Sequence, residues 1–454
     1  MTTIFTKTLA LSVCTLAISA CGGGDTPATT GGGAAGLDVQ SGGAGSGGSG
    51  TPSGGAGGSS SPGGGGGNNS AAGRDSGTAG VDSLPPSLNP TDCAKPGGTA
   101  MGTVTGTPGT WENVTPKEVT LVPSMFNNDN FGVQDVLVDP VRPSDAYAFI
   151  CHQGVWKTQD YGSTWKKVNT GTLGADIDGG KPWSAGINSN RCRDPNTPPT
   201  LYTLSGGGSK QGFYKSNDGG VNWEHVTLPP QSSTQYPQDA YSIAVNPYAG
   251  GHLLMGFHEA VGLIESTDGG ATWQPRKPAD DGVSVYFTFV DTGDPATTAK
   301  TWISVGQSGA TFRTADGGAT WTQVEKLVHG HGCSQIFQAG GGVLYIPGTY
   351  GSSGNGVYRS TDYGLTFTKA YEGVANNVIG TSTTLYSSYA WANSGTVDPS
   401  LHTAPRDPGT AWVTQTAPAG MTNGAKGSAA TSDGTRNIVL TGNWNAGIWR
   451  YIEP

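Results

Sequence analysis

Between residues 107 and 454 the chain is a series of short apolar runs separated by glycine-rich polar breaks. The runs have strand length: VQDVLVDP at 133–140, YSIAVNP at 241–247 and VYFTFVD at 285–291. Their β-branched and aromatic content predicts strands. A second group is shorter and more uniform: GVWK at 154–157, GFYK at 212–215, GLIE at 262–265, GVYR at 356–359 and GIWR at 447–450. Long helical periodicities are absent, so the body is predicted to be all-β.

Each of the first four tetrapeptides precedes one phrase, Asp-x-Gly-x-x-Trp/Phe. It is carried by Asp160, Gly162 and Trp165; Asp218, Gly220 and Trp223; Asp268, Gly270 and Trp273; Asp316, Gly318 and Trp321; and Asp362, Gly364 and Phe367. A weaker copy runs from Asp407 to Trp412, and the steps between aspartates are 58, 50, 48, 46 and 45 residues. A repeat of that length accommodates four short strands, the size of a propeller blade. The phrase reads as a hairpin turn: Asp accepts hydrogen bonds from the turn, Gly supplies a positive φ, and the ring packs on neighbouring strands.

The phrase resembles the Asp-box, or BNR repeat, of sialidases, xyloglucanase-type glycoside hydrolases, sortilin-type receptors and photosystem II assembly factors. The resemblance implies a propeller with the box between the third and fourth strands of each blade, where its residues are structural. It also places the ligand site on the opposite face. The fragment GTWENV at 109–114 has the Gly-x-Trp half of a box and a following strand, while GIWR lies just before Pro454. Both ends are therefore expected to share one blade, closing a single seven-bladed ring without exposed edges.

On the opposite face the repeat places the turns after each second strand and the connections into each first strand. These carry His152, His258 and Glu259, Tyr350 and Trp444 from the turns. The connections carry Asp135, Lys181 and Trp183, Tyr236 and Asp239, His331, Asn376 and Asn377, and Lys426. Aromatic faces with carboxylates and amides suit a carbohydrate. A hydrolase needs two carboxyl groups about 5–5.5 Å or roughly 6.5–9.5 Å apart, and Asp135, Asp239 and Glu259 are the candidates. His152, Lys181, Trp183, Tyr236, His258, His331, Tyr350 and Trp444 are the candidate substrate contacts. Arg is scarce on this face, unlike a sialidase site. Xyloglucanase-type enzymes have two propellers, and this chain has room for one. HGHGC at 329–333 raises a metal or a His-dependent polysaccharide lyase as alternatives, against histidines that only bond backbone. No metal and no cofactor are expected.

Composition adds the cellular context. Of 76 glycines, many precede residue 103, and residues 22–89 are dominated by Gly, Ser, Ala, Thr and Pro. Such a stretch lacks the apolar surface to offset ordering entropy and is expected to act as a tether. Lys7, the apolar run 9–20 and ISAC at 18–21 form an export signal. ISAC resembles a bacterial lipobox, which implies lipidation of Cys21, a signal at 1–20, a tether at 21–106 and attachment to the outer membrane or cell surface. The net charge of −9 and the lack of a basic cluster argue against nucleic acid. After export Cys93, Cys151, Cys192 and Cys333 remain, and a Cys151–Cys192 disulfide between neighbouring repeats is expected. A monomer that binds or cleaves carbohydrate is the first functional reading. The second is a non-catalytic scaffold for a cell-surface protein.

Overall fold

A computed structural model describes residues 103–122, 130–188, 190, 193–205, 210–229, 240–257, 262–278, 284–307, 309–326, 335–348, 354–390 and 398–454. They form seven four-stranded antiparallel sheets arranged as the blades of one propeller. The innermost strands are Val133–Val138, Pro182–Ile187, Ala240–Val245, Ser284–Phe289, Phe337–Gly340, Asn377–Gly380 and Gly427–Ser432. The expected sixth blade is regular, built from Asn377–Gly380, Thr384–Ser388, His402–Pro405 and Val413–Thr414.

The seventh blade joins the two ends of the ring. Its first three strands are Gly427–Ser432, Asn437–Gly442 and Ile448–Ile452, and its outer strand is Trp111–Asn113. Trp111 pairs with Tyr451, Glu112 with Arg450 and Asn113 with Trp449. Arg450 donates to Glu112 Oε2 at 2.6 Å and to Ser163 Oγ of the first blade at 2.6 Å. One guanidinium thus connects the outer strand, the last strand and the next blade.

Each Asp-x-Gly-x-x-Trp/Phe phrase is the turn between a third and a fourth strand. In the fourth blade, Asp316 Oδ1 accepts from the Thr314 hydroxyl at 2.8 Å and the Thr320 amide at 2.9 Å, and Oδ2 from the Thr320 hydroxyl at 2.5 Å. The same pattern surrounds Asp160, Asp218, Asp268 and Asp362, with Asn222 replacing the second threonine at Asp218. Gly270 adopts φ 96°, where a side chain would also drive into Phe213. The indoles of Trp223, Trp273 and Trp321 donate back to the carbonyl of the turn glycine at 2.9–3.2 Å. At Asp407 the flanking hydroxyl positions are Pro405 and Ala411, which explains why that copy is weak.

These bonds act on acidity. The Thr320 hydroxyl and amide, with the Thr314 hydroxyl, hold the Asp316 carboxyl down at about 2. At Asp160, Asp218, Asp268 and Asp362 burial opposes the shift, but the hydrogen bonds outweigh it and the carboxyls stay below their usual range. A depressed carboxyl stabilises the fold above its unfolded pKa near 4 and loses that contribution as pH falls through its folded value. The melting temperature is therefore expected to fall between about pH 4 and 2. Asp316→Asn should flatten part of that fall, as read by thermal melts across the range.

Each of these turns packs on the preceding blade. Gly162 lies against Leu440, Gly220 against Val168, Gly270 against Phe213, Gly318 against Arg276 and Gly364 against Ile303. Apolar clusters bridge blades likewise, as where Ile438, Leu440 and Ile448 meet Ala146, Trp156 and Trp165.

Candidate active site

In every blade the innermost strand begins on the face opposite these turns, because four antiparallel strands alternate direction. Apart from isolated bridges at Val133 and Asn377, its inner edge is not paired with another strand and presents amides and carbonyls to the axis. In the first four blades the pairing with the second strand slips near its start. The shifts lie between Val133 and Asp135, Pro182 and Ser184, Ala240 and Ser242, and Ser284 and Tyr286. A bulge of this kind re-aims the side chains around it. Asp135, Ser184, Ser242 and Tyr286, each just past a bulge, line an axial cavity of about 290 Å³.

Asp135 is the acid in that lining. Its Oδ2 accepts the amide of Ala185 at 3.0 Å and its Oδ1 the amide of Val136 at 2.9 Å. Lys426 is buried, lines the same cavity, and donates through Nζ to the carbonyl of Trp183. Carboxyl and ammonium are thus seated two residues apart on the same inner edge of the second blade. Gly427 is required there, since a Cβ would stand 2.2 Å from Asp135 Oδ1. Burial pushes the Asp135 carboxyl up to about 6, against the pull of Lys426 and the two amides. Near neutral pH it can therefore hold or release a proton, as general acid–base chemistry requires.

The other side of the axis is filled by amides. Gln335 Oε1 accepts from Asn377 Nδ2 at 2.9 Å and from the Ser428 amide at 3.1 Å, while its Nε2 donates to the Ser428 carbonyl at 2.9 Å. The Ser428 hydroxyl donates to Asn377 Oδ1 at 3.0 Å. This network ties the fifth, sixth and seventh blades together. The cavity is left to the first four, with Gln335, Ile336, Lys426 and Gly427 along its other rim. Gln335 precedes its strand, just past the HGHGC segment, whose histidines drew attention to a metal or lyase and gave no signal for this amide.

Two bulged residues, Trp183 and Tyr241, join Phe131 and Trp444 in a separate aromatic layer. Trp183 and Tyr241 sit 6.0 Å apart, Phe131 lies 5.1 Å from Trp183, and Trp444 lies 6.2 Å from Phe131. Trp183 and Trp444 are 2 % and 0 % exposed, so these indoles are packed together and present no open face to a sugar ring. Trp444 also exchanges two main-chain hydrogen bonds with Val133, both at 3.0 Å, fixing this layer to the start of the first blade. His152 has φ 57° and its Nδ1 lies 3.2 Å from the Gly179 carbonyl. Lys181 is buried, with its amide on Ser205 Oγ. Neither His152 nor Lys181 lines the axial cavity. Asn376 bonds Ala390 through both its oxygen and its nitrogen.

Asp239, Glu259, Tyr236, His258, His331, Tyr350, Cys21 and Cys192 lie outside the described residues. Cys151 is buried beside Trp183 in the aromatic layer. Among the described residues no group of His, Cys, Asp and Glu could hold a metal ion, and no helix is long and apolar enough to cross a membrane.

No protein-family model matches the chain. An oligoxyloglucan-reducing end-specific xyloglucanase of Emericella nidulans is 28 % identical over 198 residues, 36 % of this chain and 24 % of that protein. A xyloglucanase of a Paenibacillus species is 27 % identical over 200 residues, 38 % of this chain and 18 % of that protein. The similarity in sequence is to xyloglucanases. The stretches matched are a quarter or less of those relatives' own length. Among solved structures, a GH74 xyloglucanase from Xanthomonas campestris superposes with TM-score 0.53 and 16 % identity, covering 75 % of this chain and 53 % of that one. A virginiamycin B lyase from Staphylococcus aureus reaches 0.50 with 12 % identity, covering 76 % and 98 %. At these identities the structural likeness concerns the propeller fold.

Proposed function

We propose that this chain is an exported, lipid-anchored Asp-box propeller that takes a carbohydrate end into its axial cavity. Asp135 is the group that meets it. The observation that carries the reading is the cavity itself: a partly enclosed opening of mixed polar and apolar lining that holds a carboxyl near its titration point, in a chain whose sequence relatives are xyloglucanases. Its volume of about 290 Å³ lies at the small end of ligand pockets, which suits a terminal sugar better than the middle of a polymer. Lys426 and the seryl hydroxyls supply donors for ring hydroxyls, and the protonated form of Asp135 can donate to a glycosidic oxygen. Hydrolysis also needs a second carboxyl. Asp239 and Glu259, at the first strand and the second-to-third turn of the third blade, are the candidates by sequence position. Lipidation of Cys21 and the glycine-rich tether would hold the propeller at the outer membrane or cell surface.

The test uses the full chain with xyloglucan, other neutral glucans and acidic polysaccharides. Binding is read by calorimetry, cleavage by new reducing ends, and elimination by ultraviolet absorbance of unsaturated uronates. The expected result is binding of a neutral glucan, weakened at least tenfold by Asp135→Asn, with reducing ends and no absorbance if the chain cleaves. Absorbance with an acidic polysaccharide would replace the reading with a lyase. Absence of binding across the panel would overturn it.

A further inference from the structure

The seventh blade lacks the turn that its neighbours carry. In blades one to five the turn after the third strand folds over the preceding blade, with its glycine against that blade's side chains. The seventh blade's third strand, Ile448–Ile452, pairs instead with an outer strand that arrives from residue 111. Among the described residues the corresponding surface beside the sixth blade is open as a groove. In that place lies a groove of about 750 Å³, larger than the axial cavity and on the other face of the ring.

The floor of the groove is rigid and polar. Glu453 is buried and its two oxygens accept from Thr381, Thr383, Tyr386 and Asn437 at 2.5–2.8 Å. Its wall is aromatic: Trp111 and Tyr451 stand 5.1 Å apart, and Trp111 meets Tyr386 edge-on at 6.3 Å. Trp111 is only partly buried, and its indole N–H makes no hydrogen bond among the described residues. Arg436 and Gln415 stand at the rim. Gln415 is exposed, with its Nε2 on Thr403 Oγ1 at 2.9 Å. Among the lining side chains one is cationic, Arg436, and one anionic, Glu453; the rest are neutral.

We propose that this groove is a second carbohydrate site, for a neutral oligosaccharide laid along the Trp111–Tyr451 wall. Ring faces stack on the aromatic wall, while the Trp111 N–H, Arg436 and Gln415 donate to hydroxyls. The carboxylate of Glu453 is saturated by its four partners and serves to hold the wall in place. The site exists only in the closed ring, because its stacking residue lies on the strand that completes the seventh blade.

The experiment titrates the full chain with cellohexaose, xylohexaose and mannohexaose in an Asp135→Asn background, which isolates the groove from the axial cavity. One saturable site for at least one hexasaccharide is expected. It should weaken about tenfold or more on Trp111→Ala and several-fold on Gln415→Ala. The second variant removes only an exposed side chain, so it reads the site even if the first unfolds. Failure of all three sugars to bind, or binding indifferent to both substitutions, would overturn the proposal. The axial reading fails separately, as identical isotherms for the wild-type and Asp135→Asn chains.

Discussion

Deleting residues 103–114 is expected to leave a propeller that melts far below the wild type and elutes as aggregates. The outer strand of the seventh blade supplies the Trp111–Asn113 pairing, and two flanking bonds extend it: the Gly109 amide to the Ile452 carbonyl at 2.8 Å and the Val114 amide to the Ile448 carbonyl at 2.9 Å. Its removal takes the carboxylate partner from the Arg450 guanidinium, which is 5 % exposed and keeps its bond to Ser163 Oγ. Removing one partner of a buried ion pair costs about 3–5 kcal/mol, tempered here because Glu112 is 26 % exposed. Loss of Trp111 from Tyr386 and Tyr451 adds to this, and the total approaches the 5–15 kcal/mol that roughly bounds a domain's stability. It also uncovers Ile448–Ile452 as an edge, a template for pairing with another chain. Denaturant midpoints and size-exclusion profiles report both effects. A truncated chain with the wild-type midpoint and a monomeric profile would show that ring closure does not depend on this strand.

Asp135→Asn is expected to change the pH dependence of stability as well as carbohydrate binding. The folded carboxyl titrates at about 6, above its ordinary 3.8. A group raised in this way contributes stability below its unfolded pKa and loses it as pH rises through the folded value. The span corresponds to about 3 kcal/mol, concentrated between pH 4 and 6. The asparagine chain lacks this titration. Its stability relative to the wild type should therefore rise by about 2–3 kcal/mol from pH 4 to pH 7.5. Chemical denaturation at the two pH values measures the difference. Binding moves the other way, because the amide carries no charge and offers one acceptor oxygen where the carboxylate offers two. Equal stability differences at both values would mean that Asp135 is not held in the low-dielectric setting described.

The sequence alone determined the architecture. Its repeat is local: turn chemistry at Asp160, Asp218, Asp268, Asp316 and Asp362, strand-length runs between them, and a half-phrase at Trp111 that assigned the first strand to the last blade. Each signal acts within a few residues or at a fixed spacing, so it survives in one dimension. The face on which Asp135 and Lys426 lie followed from the same repeat. Their meeting did not, because it depends on bulges that shift the register by one residue. That shift also turned Trp183 from an expected sugar contact into a member of the buried layer with Phe131, Tyr241 and Trp444. Gln335, Asn377 and Ser428 belong to three blades, and only the closed ring brings their amides and hydroxyls together. The groove under Trp111 is likewise tertiary, because it is the space left where the repeat is interrupted by closure. Strand identity is set by local chemistry; the contents of the axis are set by how seven inner edges converge.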